Sequence, residues 1–180
     1  KSPMTFPEGF CYANLGGFFP SYLKRAGYDG VVVSGRAESP VYLWIHDGQA
    51  EICDAAVLWG KGTYDVQRML KETHGKNVRF VSAGVAGENR CRNATVITDH
   101  EGSATGGFGA VMGSKNLKAV AIRGTGSVEV ADKEKYKAAR DAMAKAMKPD
   151  PYRVMPDPAL YKGQQDRDLQ LFDPAVASVT

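Results

Sequence analysis

An internal repeat constrains this chain more than any other feature. Residues 13–36 run Ala-Asn-Leu-Gly-Gly-Phe-Phe, then Leu23-Lys24, then Val31-Val32-Val33-Ser34-Gly35-Arg36. Residues 104–124 run Ala-Thr-Gly-Gly-Phe-Gly, then Leu117-Lys118, then Ala119-Val120-Ala121-Ile122-Arg123-Gly124. Each copy is a Gly-Gly-Phe turn, a short amphipathic stretch, a Leu-Lys pair and an apolar run closed by Gly. One such turn says little. Two in the same order predict a duplicated unit with approximate two-fold symmetry, turning two similar loops toward one ligand. A paired cofactor has the two similar halves that such loops would meet.

Composition narrows the classes. A chain of 180 residues suits one domain, or one domain and part of another. Its 43% hydrophobic and 24% charged residues are those of a soluble globular protein. The net charge is +3, and Lys and Arg are scattered rather than blocked, so no basic patch points to nucleic acid. No apolar run approaches the roughly 20 residues that span a bilayer. No secretory leader is visible, and the start at Lys1 leads us to expect a missing upstream segment. Cys11, Cys53 and Cys91 are odd in number and widely spaced, which fits neither a disulfide framework nor a metal set. Free thiols in a reducing compartment are the expectation.

The coarse organisation is α+β. Ser21–Ala26 reads as one or two helical turns. Val31–Ser34 and Val41–His46 read as strands, and Asp47-Gly48 as a hairpin turn into Glu51–Asp54. Thr63 is a candidate N-cap for a helix over Tyr64–Thr73, with Val66, Met69 and Leu70 on one face and Gly75 as its stop. Val78–Val81, Ala94–Thr98 and 117–123 read as further strands, with Ser127–Val130 as one more. Asp132 can cap a helix running to Met147, which Pro149 ends. The Pro-rich, polar stretch beyond Lys148 reads as a linker or the start of a second domain. Strands and helices do not alternate regularly, which favours α+β over a doubly wound parallel sheet.

The richest segment for chemistry is Gly106-Gly107-Phe108-Gly109-Ala110-Val111-Met112-Gly113-Ser114-Lys115-Asn116-Leu117-Lys118. Glycines let a backbone approach a ligand, and successive amides turned one way form an anion nest. Ser114 adds a hydroxyl, and Lys115 and Lys118 add charge. The segment serves equally as a tight turn between core elements. It is no P-loop, and Gly113 is displaced from a dinucleotide fingerprint, for which no strand–turn–helix setting is apparent. Asn14-Leu15-Gly16-Gly17 offers a similar turn with an amide beside it. Ala86-Gly87-Glu88-Asn89-Arg90 can organise a polar network at a strand end, through a Glu–Arg or Glu–backbone contact. His46 is expected on the polar face of its strand, His74 as a cation at a helix C-terminus, and His100 in an acidic turn. None stands at metal spacing. Asp166, Arg167 and Asp168 read as solvated charges, and Trp44 and Trp59 as packing.

Taken in order over residues 1–131, these segments resemble the N-terminal domain of the aldehyde ferredoxin oxidoreductase family, the tungsten bis-pyranopterin enzymes. The resemblance rests on Lys1-Ser2-Pro3-Met4-Thr5, Asn14-x-Gly16-Gly17, Leu23-Lys24-x-Ala26-Gly27-Tyr28-Asp29 and Pro40-Val41-Tyr42-Leu43. It continues through Leu58-Trp59-Gly60-Lys61, Ala86-Gly87-Glu88-Asn89 and, most specifically, Gly109–Ala119. It implies a cofactor-cradling domain over 1–131, duplicated and β-rich, with residues 132–180 as a helix and linker opening a helical domain.

The resemblance also implies site residues and chemistry. Asn14, Gly16, Gly17, Ala104, Thr105, Gly106, Gly107, Gly109, Ser114 and Lys115 would bind the bis-pterin cofactor, and backbone carbonyls of Asn14 and Ala104 would hold a bridging Mg²⁺. Many family members carry Arg where this chain has Thr105. A [4Fe-4S] cluster and the substrate channel would lie in later domains, so the chain is expected to be part of a longer protein. The implied reaction is aldehyde oxidation to a carboxylate, with ferredoxin or electron-transfer subunits as partners, in an oligomer in the cytoplasm of an anaerobe. Within the family, the active-site subunit of a class II benzoyl-CoA reductase, acting on an aromatic acyl-CoA, is the alternative toward which Phe6–Asn14 and Thr105 lean. A non-catalytic module binding a phosphate ligand is the reading outside it.

Overall fold

One strand buried on both faces organises the fold. The computed structural model describes residues 3–4, 9–99 and 102–146. Val41–His46 forms β1, in which Tyr42 and Trp44 face one apolar cluster while Ile45 and Leu43 belong to another. Asp47 and Gly48, at φ 41° and 85°, turn the chain back into β2, Gln49–Asp54. Positive φ at both centres is what a two-residue hairpin requires, and the register runs from His46↔Gln49 to Val41↔Asp54. The remaining strands are β3 (Arg79–Ala83), β4 (Val96–Thr98), β5 (Gly102–Ala104) and β6 (Leu117–Arg123). They make one sheet in the order β2-β1-β6-β3-β4-β5. Among the described residues only the β1–β6 pair is parallel, and the other pairs are antiparallel. The mixed sheet with helices is the α+β class expected.

Helices cover both sides of β1 and β6. Phe19–Arg25 forms α1, with Pro in its first turn, Lys24 and Arg25 in its last, and Gly27 at φ 95° beyond it. Its Phe19, Tyr22 and Leu23 pack on Ile45 and Ile122. Thr63–His74 forms α2, which lays Val66 and Leu70 on Tyr42, Trp44, Phe80, Ala119 and Ala121. Full burial of each such aliphatic side chain is worth roughly 1.5–3 kcal/mol. Gly75, at φ 94°, ends α2 by donating its N–H to Lys71 O at 2.9 Å. The helix begins at Thr63, so its N-cap is Gly62 and not Thr63, and no side chain caps it.

Two expected strands do not form. Val31–Ser34 joins no strand ladder, and its valines are exposed. Side chains from the turn before β6 hold the chain just beyond it instead: Lys115 Nζ donates to Gly35 O at 2.9 Å, and Asn116 Nδ2 to Ala37 O at 2.8 Å. A β-favouring composition yields here to tertiary context. Ser127–Val130 likewise makes no strand; residues 125–129 are exposed, with Thr125 bonded to Asp47 and Gly126 to Arg25 rather than to a neighbouring strand.

The two copies of the repeat therefore agree only in part. Gly17 precedes α1, and Gly106 and Gly107 precede α4 (Phe108–Ser114), all three at positive φ. Leu23-Lys24 then ends a helix, whereas Leu117-Lys118 opens β6. The closing Gly124 has a packing role: a Cβ there would lie 2.3 Å from Tyr22 O.

The chain divides into Lys1–Val128 and Glu129–Thr180. In the second unit Asp132 caps α5 (Lys133–Ala146) by accepting from Lys135 N at 2.9 Å, and no residue of α5 is buried. The readings made for His100, for Met147 and Pro149, for Asp166, Arg167 and Asp168, and for the Pro-rich stretch lie outside the described residues.

Candidate functional site

The two glycine loops come together at the β5 edge of the sheet. In the first, Asn14, Gly16 and Gly17 are exposed, and Gly17 stands at φ 87°. The Gly16 backbone lies against Gly102, where an added Cβ would meet its N at 3.1 Å and its Cα and C at 3.2 Å. Ala104 closes β5 and is buried, and Thr105 beyond it is exposed. Gly106 and Gly107 follow at φ 105° and 78°. A Cβ on Gly106 would lie 2.9 Å from Cys11 Sγ, and one on Gly107 would lie 2.6 Å from Arg92 O and 3.0 Å from the Pro3 ring. Both glycines thus have a steric and a torsional reason to be there.

This stretch is a strand–turn–helix after all, running β5, Thr105–Gly107, α4. The strand is three residues of Gly-Ser-Ala, which no propensity signal marks. It pairs antiparallel with β4 and is not a neighbour of β6, so it builds no parallel βαβ unit.

The other glycines of the segment serve packing. Val85–Glu88 forms α3 beside α4. A Cβ on Gly113 would fall 1.9 Å from Gly87 O, one on Gly87 would fall 2.6 Å from Gly109 O, and one on Gly109 would fall 2.5 Å from Thr95 O. Ser114 and Lys115 stand at the C-terminal end of α4, about 10 Å along the helix from Gly107. Ser114 Oγ donates to Val111 O at 2.8 Å, and Lys115 is spent on Gly35. Of the ten candidate residues, Asn14, Gly16, Gly17 and Ala104 to Gly107 share one place; Gly109 packs beneath it, and Ser114 and Lys115 lie elsewhere.

Lys118 is not a surface cation either. It is the extra residue of a bulge, because Val41 pairs with Leu117 and Tyr42 with Ala119. Its fully buried ammonium donates to Lys61 O at 2.8 Å and to Glu88 Oε1. Glu88 also accepts from Gly60 N at 2.9 and 3.0 Å. The polar network foreseen at Glu88 is thus Glu–backbone and Glu–Lys, and its Lys comes from the glycine-rich segment.

His46 and His74 belong to packing. His74 stacks on Trp44 at 3.9 Å, and Tyr42 Oη lies 2.9 Å from its Nε2. Burial, then Arg123 and His46, lower its pKa, so the helix-end cation expected of it is disfavoured. His46 is half-buried: it stacks at 5.2 Å from Trp44, and its Nε2 lies 2.7 Å from Oε1 of the exposed Glu51.

Two arginines matter that no motif marked. Arg79 on β3 lies 5.0 Å from the Phe18 ring and 5.1 Å from that of Tyr22, with Nη1 3.9 Å from Asp99 Oδ2. It joins the segment after Gly17 to the β4–β5 turn. A charge inside the apolar run 78–81 was the available signal. Arg92 Nε donates to Pro3 O at 2.9 Å beside Gly107.

Cys11, Cys53 and Cys91 are free thiols. Among the described residues, no group of three or more His, Cys, Asp or Glu is arranged to hold a metal ion, and no helix is long and apolar enough to cross a membrane.

Comparison with known proteins adds the following. Residues 1–124 match the domain family described as aldehyde ferredoxin oxidoreductase, N-terminal domain. A tungsten-containing aldehyde ferredoxin oxidoreductase of Pyrococcus abyssi is 47% identical over 154 residues, 84% of this chain and 25% of that protein. One from Pyrococcus horikoshii is 50% identical over 139 residues, 76% and 22% of the two. Among solved structures, the active-site complex of benzoyl-coenzyme A reductase with 1,5-dienoyl-CoA contains a similar chain. It is 37% identical with a TM-score of 0.73, over 79% of this chain and 22% of that one. The chain thus spans about a quarter of the length of the curated relatives it matches.

Proposed function

The chain belongs to the aldehyde ferredoxin oxidoreductase family through its N-terminal domain, and from that membership we propose that it is the cofactor-cradling part of a tungsten or molybdenum bis-pterin oxidoreductase. The observation that carries this reading is the contact of the first glycine loop with β5, the strand that leads into the second, with the Gly16 backbone against Gly102. A cofactor with two anionic arms needs two neighbouring stretches of accessible backbone. The residues present fit that group: exposed backbone at Gly16 and Gly17, half-buried backbone at Gly106, an exposed amide at Asn14 and an exposed hydroxyl at Thr105, with buried Gly107 shaping the second turn. Neutral oxygen donors of this kind also suit a hard cation, and the Asn14 and Ala104 carbonyls are our candidates for Mg²⁺.

When bound, the metal–pterin group supplies two-electron redox chemistry. This chain's residues bind and orient it. Gly109, Gly113 and the Lys118–Glu88 pair fix α4, and through it the position of Gly106 and Gly107. The reaction we favour is oxidation of an aldehyde to a carboxylate, with water supplying the added oxygen and a ferredoxin-type partner taking the electrons. The iron–sulfur cluster, the substrate channel and the electron-transfer contacts would belong to the rest of the relatives' length.

A second reading, the active-site subunit of a class II benzoyl-CoA reductase, is favoured by the structural neighbour at TM-score 0.73. A free-standing phosphate-binding module is disfavoured by Phe10, Tyr12 and Phe18, exposed to 87%, 80% and 51% around the first loop, as on a domain that has lost its neighbours.

Elemental analysis of the full-length protein, purified without oxygen, tests the proposal. Tungsten or molybdenum together with pterin supports it, and folded full-length protein lacking both overturns it. Assays with simple aldehydes against benzoyl-CoA then separate the two reactions.

A further inference from the structure

Sequence offered Lys115 and Lys118 as the positive charges of the second glycine loop, and the structure removes both. Lys115 is bonded to Gly35 O, and Lys118 is buried against Glu88 and Lys61. Residues 104–107 are themselves uncharged. Beyond the Mg²⁺ placed at the Ala104 carbonyl, a phosphate held there would meet no charge from the loop itself.

Arg92 stands at the required place. Its own carbonyl backs the left-handed turn, 2.6 Å from where a Cβ on Gly107 would lie. Its side chain turns to the same neighbour: Nε donates to Pro3 O at 2.9 Å, and the Pro3 ring packs 3.0 Å from that Gly107 position. Backbone and side chain of one residue therefore both support the same side of Gly107. The hydrogen bond to Pro3 uses Nε alone. The two terminal amino groups of the fork belong to an exposed residue, anchored at one point and able to present two parallel donors to a phosphate.

We propose that Arg92 is the cation that binds the phosphate arm of the cofactor at the Thr105–Gly107 loop. This rests on the bis-pterin reading above. Pro3 acts with it: by occupying Nε, its carbonyl orients the guanidinium, so Lys cannot substitute fully, having a point charge and no second anchored donor.

The test uses the full-length protein, purified without oxygen as wild type, Arg92→Gln, Arg92→Lys and Arg90→Gln. Tungsten and molybdenum per polypeptide are measured, with released pterin quantified by its fluorescence after oxidation, before and after gel filtration in high salt. Near-ultraviolet circular dichroism checks the fold. Arg92→Gln is expected to lose metal and pterin on the order of tenfold more readily than wild type, the scale of one charge-assisted hydrogen bond. Arg92→Lys should fall between them, and Arg90→Gln should retain its cofactor. Full retention by folded Arg92→Gln overturns the assignment. So do equal losses in the Arg92 and Arg90 variants, which would make the effect one of net charge. A wild type without metal or pterin overturns the bis-pterin reading as well, whereas a loaded wild type with a loaded Arg92→Gln overturns only the role of Arg92.

Discussion

Lys118 Nζ donates to Glu88 Oε1 in an ion pair whose side chains are 0% and 6% exposed. Three stretches that looked unrelated in sequence meet here: Trp59-Gly60-Lys61, the end of α3, and the bulge of β6. Removing one partner leaves the other charge buried and unpaired. Lys118→Met or Glu88→Leu should each destabilise this domain by about 3–5 kcal/mol. The double variant should lose less than the sum, because both charges leave together. Denaturant midpoints followed by Trp44 and Trp59 fluorescence in the full-length protein would measure this. Additive losses would mean that the pair is not coupled.

Glycine at position 113 is a packing requirement, with an added Cβ 1.9 Å from Gly87 O. Gly113→Ala must push α3 and α4 apart, a cost of typically 1–3 kcal/mol for overpacking, and should also lower cofactor content by moving Gly106 and Gly107. Gly30→Ala is the control, since nothing lies within 4 Å of the new methyl group. Thermal midpoints and tungsten content of the two variants should diverge. Equal behaviour would remove the argument from close helix approach.

The sequence carried the sheet's centre well, and for a physical reason. Val41–His46 and 117–123 are long apolar runs, and Asp47-Gly48 demands one turn geometry. What it hid depends on distance. Gly-Ser-Ala makes a strand only because β4 and Gly16 flank it. Val31–Ser34 has the composition of a strand, but Lys115 and Asn116 side chains hold the chain just beyond it, at Gly35 and Ala37. The site divided in the same way: glycine pairs announced both loops, whereas the loss of Ser114 and Lys115 from the cluster follows from the direction of α4, and the burial of Lys118 from a single extra residue in β6. Arg92 is close to the second loop only in space.

The His74 stack predicts a pH dependence. The ring lies against Trp44 and beside Tyr42, whose phenol burial and Cys53 push up to about 12. That phenol keeps its proton, with its Oη 2.9 Å from His74 Nε2. Arg123 and His46 oppose a charge on His74, Glu51 weakly favours one, and burial dominates, so the folded pKa is depressed. A depressed histidine pKa means that the unfolded chain binds the proton more readily. The contribution of His74 is therefore complete above about pH 6.5 and falls as pH drops from there through the folded value. The midpoint of the wild type should decline between pH 7.5 and 5.5, and His74→Phe should flatten that decline. An unchanged slope would assign the effect to another group.

Arg79 should control the first loop without touching a ligand. Its guanidinium lies between the rings of Phe18 and Tyr22 and faces Asp99, which links residues 17–22 to the β4–β5 turn. A cation over an aromatic face is worth about 0.5–2 kcal/mol, more when water is excluded. Arg79→Met keeps the aliphatic bulk and removes both the ring contacts of the charge and the charge facing Asp99. Hydrogen exchange at residues 14–22 should then accelerate by about tenfold for each 1.4 kcal/mol lost, while exchange in α2, on the opposite face of the sheet, stays near its wild-type rate. Uniform acceleration across both elements would mean that Arg79 supports the whole domain rather than the loop that carries Asn14 and Gly16.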